Sequence, residues 1–110
     1  YKSTATINAA TTAYTATGEV SASGQYAAKG GTLASQQTSL AASGVAIVDF
    51  ADLSFTGVTL TARGALIYNS TEANKAVCAL DFGADKTATS GTFTIQFPNF
   101  TSSAAILRIA

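Results

Sequence analysis

The residues able to do chemistry in this chain are few, and their types close most catalytic routes before spacing is considered. No histidine is present and Cys78 is the single cysteine. A serine-histidine-aspartate triad, a cysteine-histidine dyad and a zinc-type ligand cluster are therefore all out of reach. Cys78 has no partner for an intrachain disulfide. It falls on the same side of its expected strand as Leu80 and Phe82, where a thiol behaves as a small core hydrophobe. Two close carboxylate pairs remain, Asp49 with Asp52 and Asp81 with Asp85. Either has the residue types to hold calcium or to act as an acid and base on a glycoside, but neither follows a calcium-loop spacing, and capping of turns is the commoner use. No Walker-type phosphate loop occurs, and Gly30-Gly31 reads as a turn. Asp81-Phe82-Gly83 has the letters of a kinase motif without the catalytic loop and lysine-bearing strand that give those letters their chemistry. The expectation is a protein that is not an enzyme, with no catalytic residues, no cofactor and no metal. The residues suited to meeting a partner are Tyr14, Tyr26 and Tyr68 as aromatic surfaces. Arg63 and Arg108 are strand cations that either stay solvated or contact a partner.

Composition narrows the partners. The 110 residues carry six basic and six acidic side chains, a formal net charge of zero with only 11% of residues charged. That balance leaves no electrostatic footprint for a nucleic-acid backbone or an anionic membrane surface. No apolar run approaches the roughly 18 residues of a membrane span. Alanine, serine, threonine and glycine dominate, so solubility rests on hydroxyls rather than charge, and such a surface is prone to associate. A length of this order suits one domain with a modest core. The many alanines bury little area, which favours subunit contacts that complete that core.

The elements that must position these residues are strands. Residues 1–31 are poor in large apolar groups and read as a long irregular arm, held down by its tyrosines or lying on a neighbouring subunit. Residues 32–110 read as the body. Residues 32–40 and 45–50, separated by a Gly44 turn, form a hairpin candidate. The cleanest alternation follows: Val58, Leu60, Ala62, Leu66 and Tyr68 share one face, and Thr59, Thr61, Arg63 and Ala65 the other. Gly64 inside that strand marks a bulge or a close backbone approach. Residues 69–74 read as a turn, and 75–82 as a strand apolar on both faces and hence central. Residues 83–91 read as a loop and 92–97 as a strand ended by Pro98. Residues 99–103 form a turn, and 105–110 a closing strand. About six short strands joined by turns predict an all-β fold, an antiparallel β-sandwich of Ig-like or jelly-roll-like type with a long irregular N-terminal segment. Its core is expected to hold Val58, Leu60, Leu66, Leu80, Phe82, Phe93, Ile95 and Phe97 between two sheets.

The stretches Leu53-Ser-Phe-Thr-Gly-Val-Thr-Leu-Thr-Ala-Arg-Gly-Ala-Leu-Ile-Tyr68, Ala73-Asn-Lys-Ala-Val-Cys-Ala-Leu-Asp-Phe-Gly83, Gly91-Thr-Phe-Thr-Ile-Gln-Phe-Pro98 and Ala105-Ile-Leu-Arg-Ile-Ala110 resemble a family of small virion proteins of tailed bacteriophages. Residues 14–39 match more loosely, through Glu19-Val-Ser-Ala-Ser-Gly-Gln-Tyr26 and Gly30-Gly-Thr-Leu33. The resemblance implies a structural role in the virion, assembled in the bacterial host cytoplasm. It fits a decoration or cement protein on the head, or an adaptor in a tail or fibre. It implies a major capsid or other virion protein as partner, with self-association into a homo-oligomer. Family members usually carry a further upstream strand, so the chain is expected to begin inside a longer protein. The alternative is a carbohydrate- or receptor-binding β-sandwich module of a phage fibre or secreted surface protein, which would favour tyrosines in a row on one exposed face.

Overall fold

The computed structural model describes residues 1–34, 37–41, 44–98 and 107–109. Its elements are β1 (Gln37–Ala41), β2 (Val45–Asp49), β3 (Leu53–Asn69), β4 (Lys75–Ile95) and β5 (Leu107–Ile109). No helix stands among them, so the chain is all-β in the described residues. They form a two-stranded sheet of β3 and β4 and a three-stranded sheet in the order β1-β2-β5. The chain divides into two compact units: residues 1–30 with 55–93, and residues 31–54 with 94–110. The irregular N-terminal segment thus groups with the long hairpin.

In the first unit β3 and β4 are joined across residues 70–74, where the expected turn is found. Asn69 Oδ1 accepts from the Thr71 N–H at 3.0 Å and from its hydroxyl at 2.7 Å, and the Asn69 carbonyl accepts from the Glu72 N–H at 3.2 Å. This local Asx turn competes well with a continued strand. Two expected strands with a loop between them are instead one strand of 21 residues. The polar stretch at 83–91 pairs because β3 offers it a matching polar face. Thr61 and Thr87 hydroxyls meet at 2.9 Å, the Ser90 N–H donates to Thr59 Oγ1 at 2.9 Å, and Arg63 Nε donates to Asp85 Oδ1 at 2.9 Å. Cross-strand partners of this kind override a loop-like composition. What survives of the loop signal is local: Gly83 and Ser90 keep positive φ angles of 78° and 47°, and Asp81 Oδ1 caps the Gly83 N–H at 2.8 Å.

The alternation of β3 slips phase twice. Phe55 is buried, then Val58, Leu60, Ala62 and Gly64, then Ile67. The first slip is at Gly57, whose φ is 63°. The second follows Gly64, where the Arg63 and Gly64 N–H groups both reach the Tyr1 carbonyl, at 2.8 and 3.4 Å. Ile67 therefore takes the core place expected of Leu66. A Cβ on Gly64 would stand 2.5 Å from the Leu80 carbonyl oxygen. The glycine is thus a site of close backbone approach, as its place inside a strand suggests.

The core of this unit is Val20, Phe55, Val58, Leu60, Ala62, Ile67 and Ala88, with Val58 wholly buried. Leu66, Leu80, Phe82 and Phe93 are only half-buried, and the Phe82 and Phe93 rings meet at 6.2 Å. A two-stranded ribbon covered by an irregular segment cannot enclose side chains as two packed sheets do. For the same reason β4 is not central: its only strand neighbour among the described residues is β3. Cys78 is half-buried on it, and burial raises the thiol pKa.

In the second unit β1 and β2 form the expected hairpin, in unbroken antiparallel register from Gln37 opposite Asp49 to Ala41 opposite Val45. The closing strand is found as β5, pairing Leu107 with Val48, Arg108 with Ile47 and Ile109 with Ala46. The turn expected at 99–103 lies outside the described residues. Ile47 is buried, while Ile95 and Phe97 are half-buried, with the Phe97 ring 5.7 Å from that of Phe50.

Candidate functional site

Chemistry-bearing side chains converge at Glu19, in the irregular segment of the first unit. The turn preceding it is closed by the Glu19 N–H donating to the Ala16 carbonyl at 3.2 Å. Glu19 Oε1 accepts from the Tyr14 hydroxyl at 2.5 Å, and Oε2 accepts from the Tyr26 hydroxyl at 2.7 Å and the Lys29 N–H at 2.8 Å. Tyr68, from the end of β3, donates its hydroxyl to the Lys29 carbonyl at 2.8 Å, and its ring lies 5.3 Å from that of Tyr14. The Lys29 ammonium stands 6.0 Å from the centre of the Tyr14 ring, and the Tyr26 ring packs edge-on to Phe55 at 5.1 Å.

The three tyrosines expected as partner contacts are thus brought together, but with their hydroxyls engaged inside the chain. They make a clasp that ties residues 14–29 to β3 rather than an exposed row. The sequence reading did not single out Glu19 and Lys29. The available signal was that Glu19 is the sole acidic residue before Asp49, set among tyrosines.

The electrostatics suit holding rather than reacting. Burial disfavours the ionised Glu19, but the hydrogen bonds from Tyr14, Tyr26 and the Lys29 backbone outweigh it and lower its pKa. A carboxylate held in this way is a weak base. The hydrogen bond to Glu19, with burial and the charge of Glu19 behind it, pushes the Tyr14 phenol up to about 12. Burial first, then the Glu19 hydrogen bond, raises Tyr26 in the same direction. A folded-state pKa above the unfolded value contributes stability below the unfolded pKa and loses it as pH rises through the folded one. Stability is therefore expected to hold up to about pH 10 and to fall between about pH 10 and 12, with a shallower fall in Tyr14→Phe. Urea midpoints across that range check it.

The other sequence candidates have separate roles. Arg63 forms an ion pair with Asp85 in which both side chains are a little under half exposed, 44% and 46%. Such a pair contributes about 1 kcal/mol or less. Arg108 is placed opposite Ile47 in β5. Asp81 Oδ1 accepts from the Gly83 N–H within β4, and Asp52 Oδ1 accepts from the Phe97 N–H at 2.7 Å. Asp49 is 3% exposed, accepts from the Phe50 N–H at 2.9 Å, and leaves Oδ2 without a partner among the described residues. No group of three potential metal ligands occurs among the described residues. A groove of about 510 Å³ runs between residues 2–4 and 20–23 and the strands, lined by hydroxyls such as Ser3, Ser21, Thr59 and Thr61, with Lys2 and Asp85 at its wall. Its lining contains no aromatic ring.

No helix of the described residues is long and apolar enough to cross a membrane. Compared with protein-family models, curated proteins and solved structures, the chain matches none.

Proposed function

We infer that the chain is a non-enzymatic structural protein of a tailed-bacteriophage virion, a capsid decoration or cement protein that stabilises the head by self-association and by docking on the shell. The motif resemblance supplies the family. The observation that carries the role is the Glu19 clasp: the tyrosines that would form a recognition surface are spent on holding the chain's own irregular segment. Thin burial in the first unit fits a chain that gains cover on assembly. The proposed fold of the whole is accordingly an antiparallel sandwich whose half-exposed apolar side chains are completed by subunit contacts.

The hydroxyl-lined groove favours a second reading, a carbohydrate- or receptor-binding module, but it lacks the aromatic platform that sugar faces stack on. With zero net charge, docking on a shell rests on shape and apolar burial, which salt does not weaken. Particles carrying the protein are expected to retain it through a wash at about 1 M salt, where the screening length is roughly 3 Å. Release by salt alone would contradict docking of this kind.

A further inference from the structure

Strand edges expose unpaired N–H and C=O groups, and natural chains blunt them with charge, proline, bulges or covering segments. This chain does so at its long hairpin. Tyr1 covers β3 at Arg63 and Gly64, Ser23 and Gln25 cover it at Thr59 and Thr56, and Thr12 and Tyr14 cover the start of β4. In the three-stranded sheet the edge strand β5 carries Arg108 at its centre. The other edge, β1, has none of these devices among the described residues. Its sequence Gln37-Thr-Ser-Leu-Ala41 holds no charge and no proline, and its register with β2 is unbroken over five pairs. No described residue pairs with its outer side. On it Leu40 is 74% exposed, and Thr38, on the same face, is exposed as well.

We propose that β1 is a homotypic docking edge, pairing antiparallel with β1 of a second copy about a two-fold axis and joining two three-stranded sheets into one. This names the self-association surface of the assembly role and rests on that reading for its biological meaning. A second copy is the occupant because a two-fold antiparallel pair sets a strand against its own reversed sequence. A charge at the centre of such a strand meets its own equivalent across the axis, which is destabilising. The neutral β1 is compatible with itself, whereas β5 would set Arg108 close to its own equivalent. In a register centred on Ser39, Leu40 of each copy stands opposite the partner's Thr38, and both leucines gain cover. A five-residue pairing is small beside the area of a stable dimer, so the free pair is weak and gains through repetition on a lattice.

Sedimentation velocity of the full chain, without particles, from about 10 μM to about 1 mM tests the pairing. A concentration-dependent dimer is expected. Leu40→Lys should weaken it by roughly a hundredfold, since two leucines lose their cover and two lysines stand as diagonal neighbours across the axis. Val77→Lys, which alters a second exposed large apolar side chain among the described residues, should leave it unchanged. If Leu40→Lys loses the wild-type circular dichroism spectrum, Thr38→Lys places a charge on the same edge and should act in the same direction. A monomer at every concentration, or a dimer indifferent to both edge lysines, overturns the proposal. A chain that dimerises through β1 but is missing from particles would keep the interface and lose the role. A chain bound to particles as a monomer would keep the role and lose the interface.

Discussion

Glu19→Ala is expected to destabilise the chain by about 2 to 4 kcal/mol and to free residues 14–29 from β3. The substitution strips the acceptor from two phenols and one backbone N–H at once. Hydrogen bonds to a charged group contribute about 1.5 to 3 kcal/mol each, and partial exposure of this cluster scales their sum down. Glu19→Gln keeps the shape and one good acceptor, so it should fall between. Urea unfolding gives the loss. Hydrogen exchange gives its location, with the Lys29 and Gln25 amides losing protection while those of β3 facing β4 keep theirs. The difference between wild type and Glu19→Ala should also depend on pH in the acid range. A carboxylate whose folded pKa is lowered contributes fully above the ordinary carboxylate range and loses that contribution as pH falls through its folded value. The two proteins should therefore converge in stability at low pH.

Gly24→Ala is expected to cost about as much, roughly 2 to 4 kcal/mol, by a different route. Ser23 and Tyr26 exchange backbone hydrogen bonds at 2.9 and 2.8 Å around a two-residue turn, with Gly24 at its first central position and φ of 51°. This is the position where a hairpin turn of type II′ needs glycine. A Cβ there would also collide with the Gly57 carbonyl group of β3. Neither partner is a flexible side-chain end, so relief requires the turn to lift from the strand. The Gln25 N–H would then lose the Thr56 carbonyl, now 3.1 Å away, and the Thr59 N–H would lose Ser23 Oγ at 2.9 Å. Gly30→Ala is the matched control, since its φ is also positive, 82°, but no atom stands within 4 Å of the added carbon. The difference between the two variants in chemical unfolding isolates the steric part.

Strand content, the β1–β2 hairpin, the Asn69 turn and the closing strand were legible because each is a local pattern of apolar runs and turn residues. The continuity of β4 was not. Its polar middle reads as loop until the polar face of β3, some twenty or more residues away, is set against it. The phase slips of β3 were half-legible: Gly64 marked one, but the exchange of Leu66 for Ile67 depends on Tyr1 folding back onto the strand. At the candidate site the tyrosines were visible by type and the engagement of their hydroxyls was not, since a phenol looks the same whether its hydroxyl meets solvent or a carboxylate. Burial of Asp49 is equally non-local, because nothing beside it in sequence announces that its strand faces inward.

The central claim is that this chain is a structural component of a particle, and counting its copies tests that most directly. Quantitative mass spectrometry of purified virions, with peptides of this chain measured against those of the major shell subunit, is expected to return a fixed stoichiometric ratio, unchanged between preparations and after a wash at about 1 M salt. A chain missing from the particles, or present only in traces that vary with the preparation, would contradict the assignment.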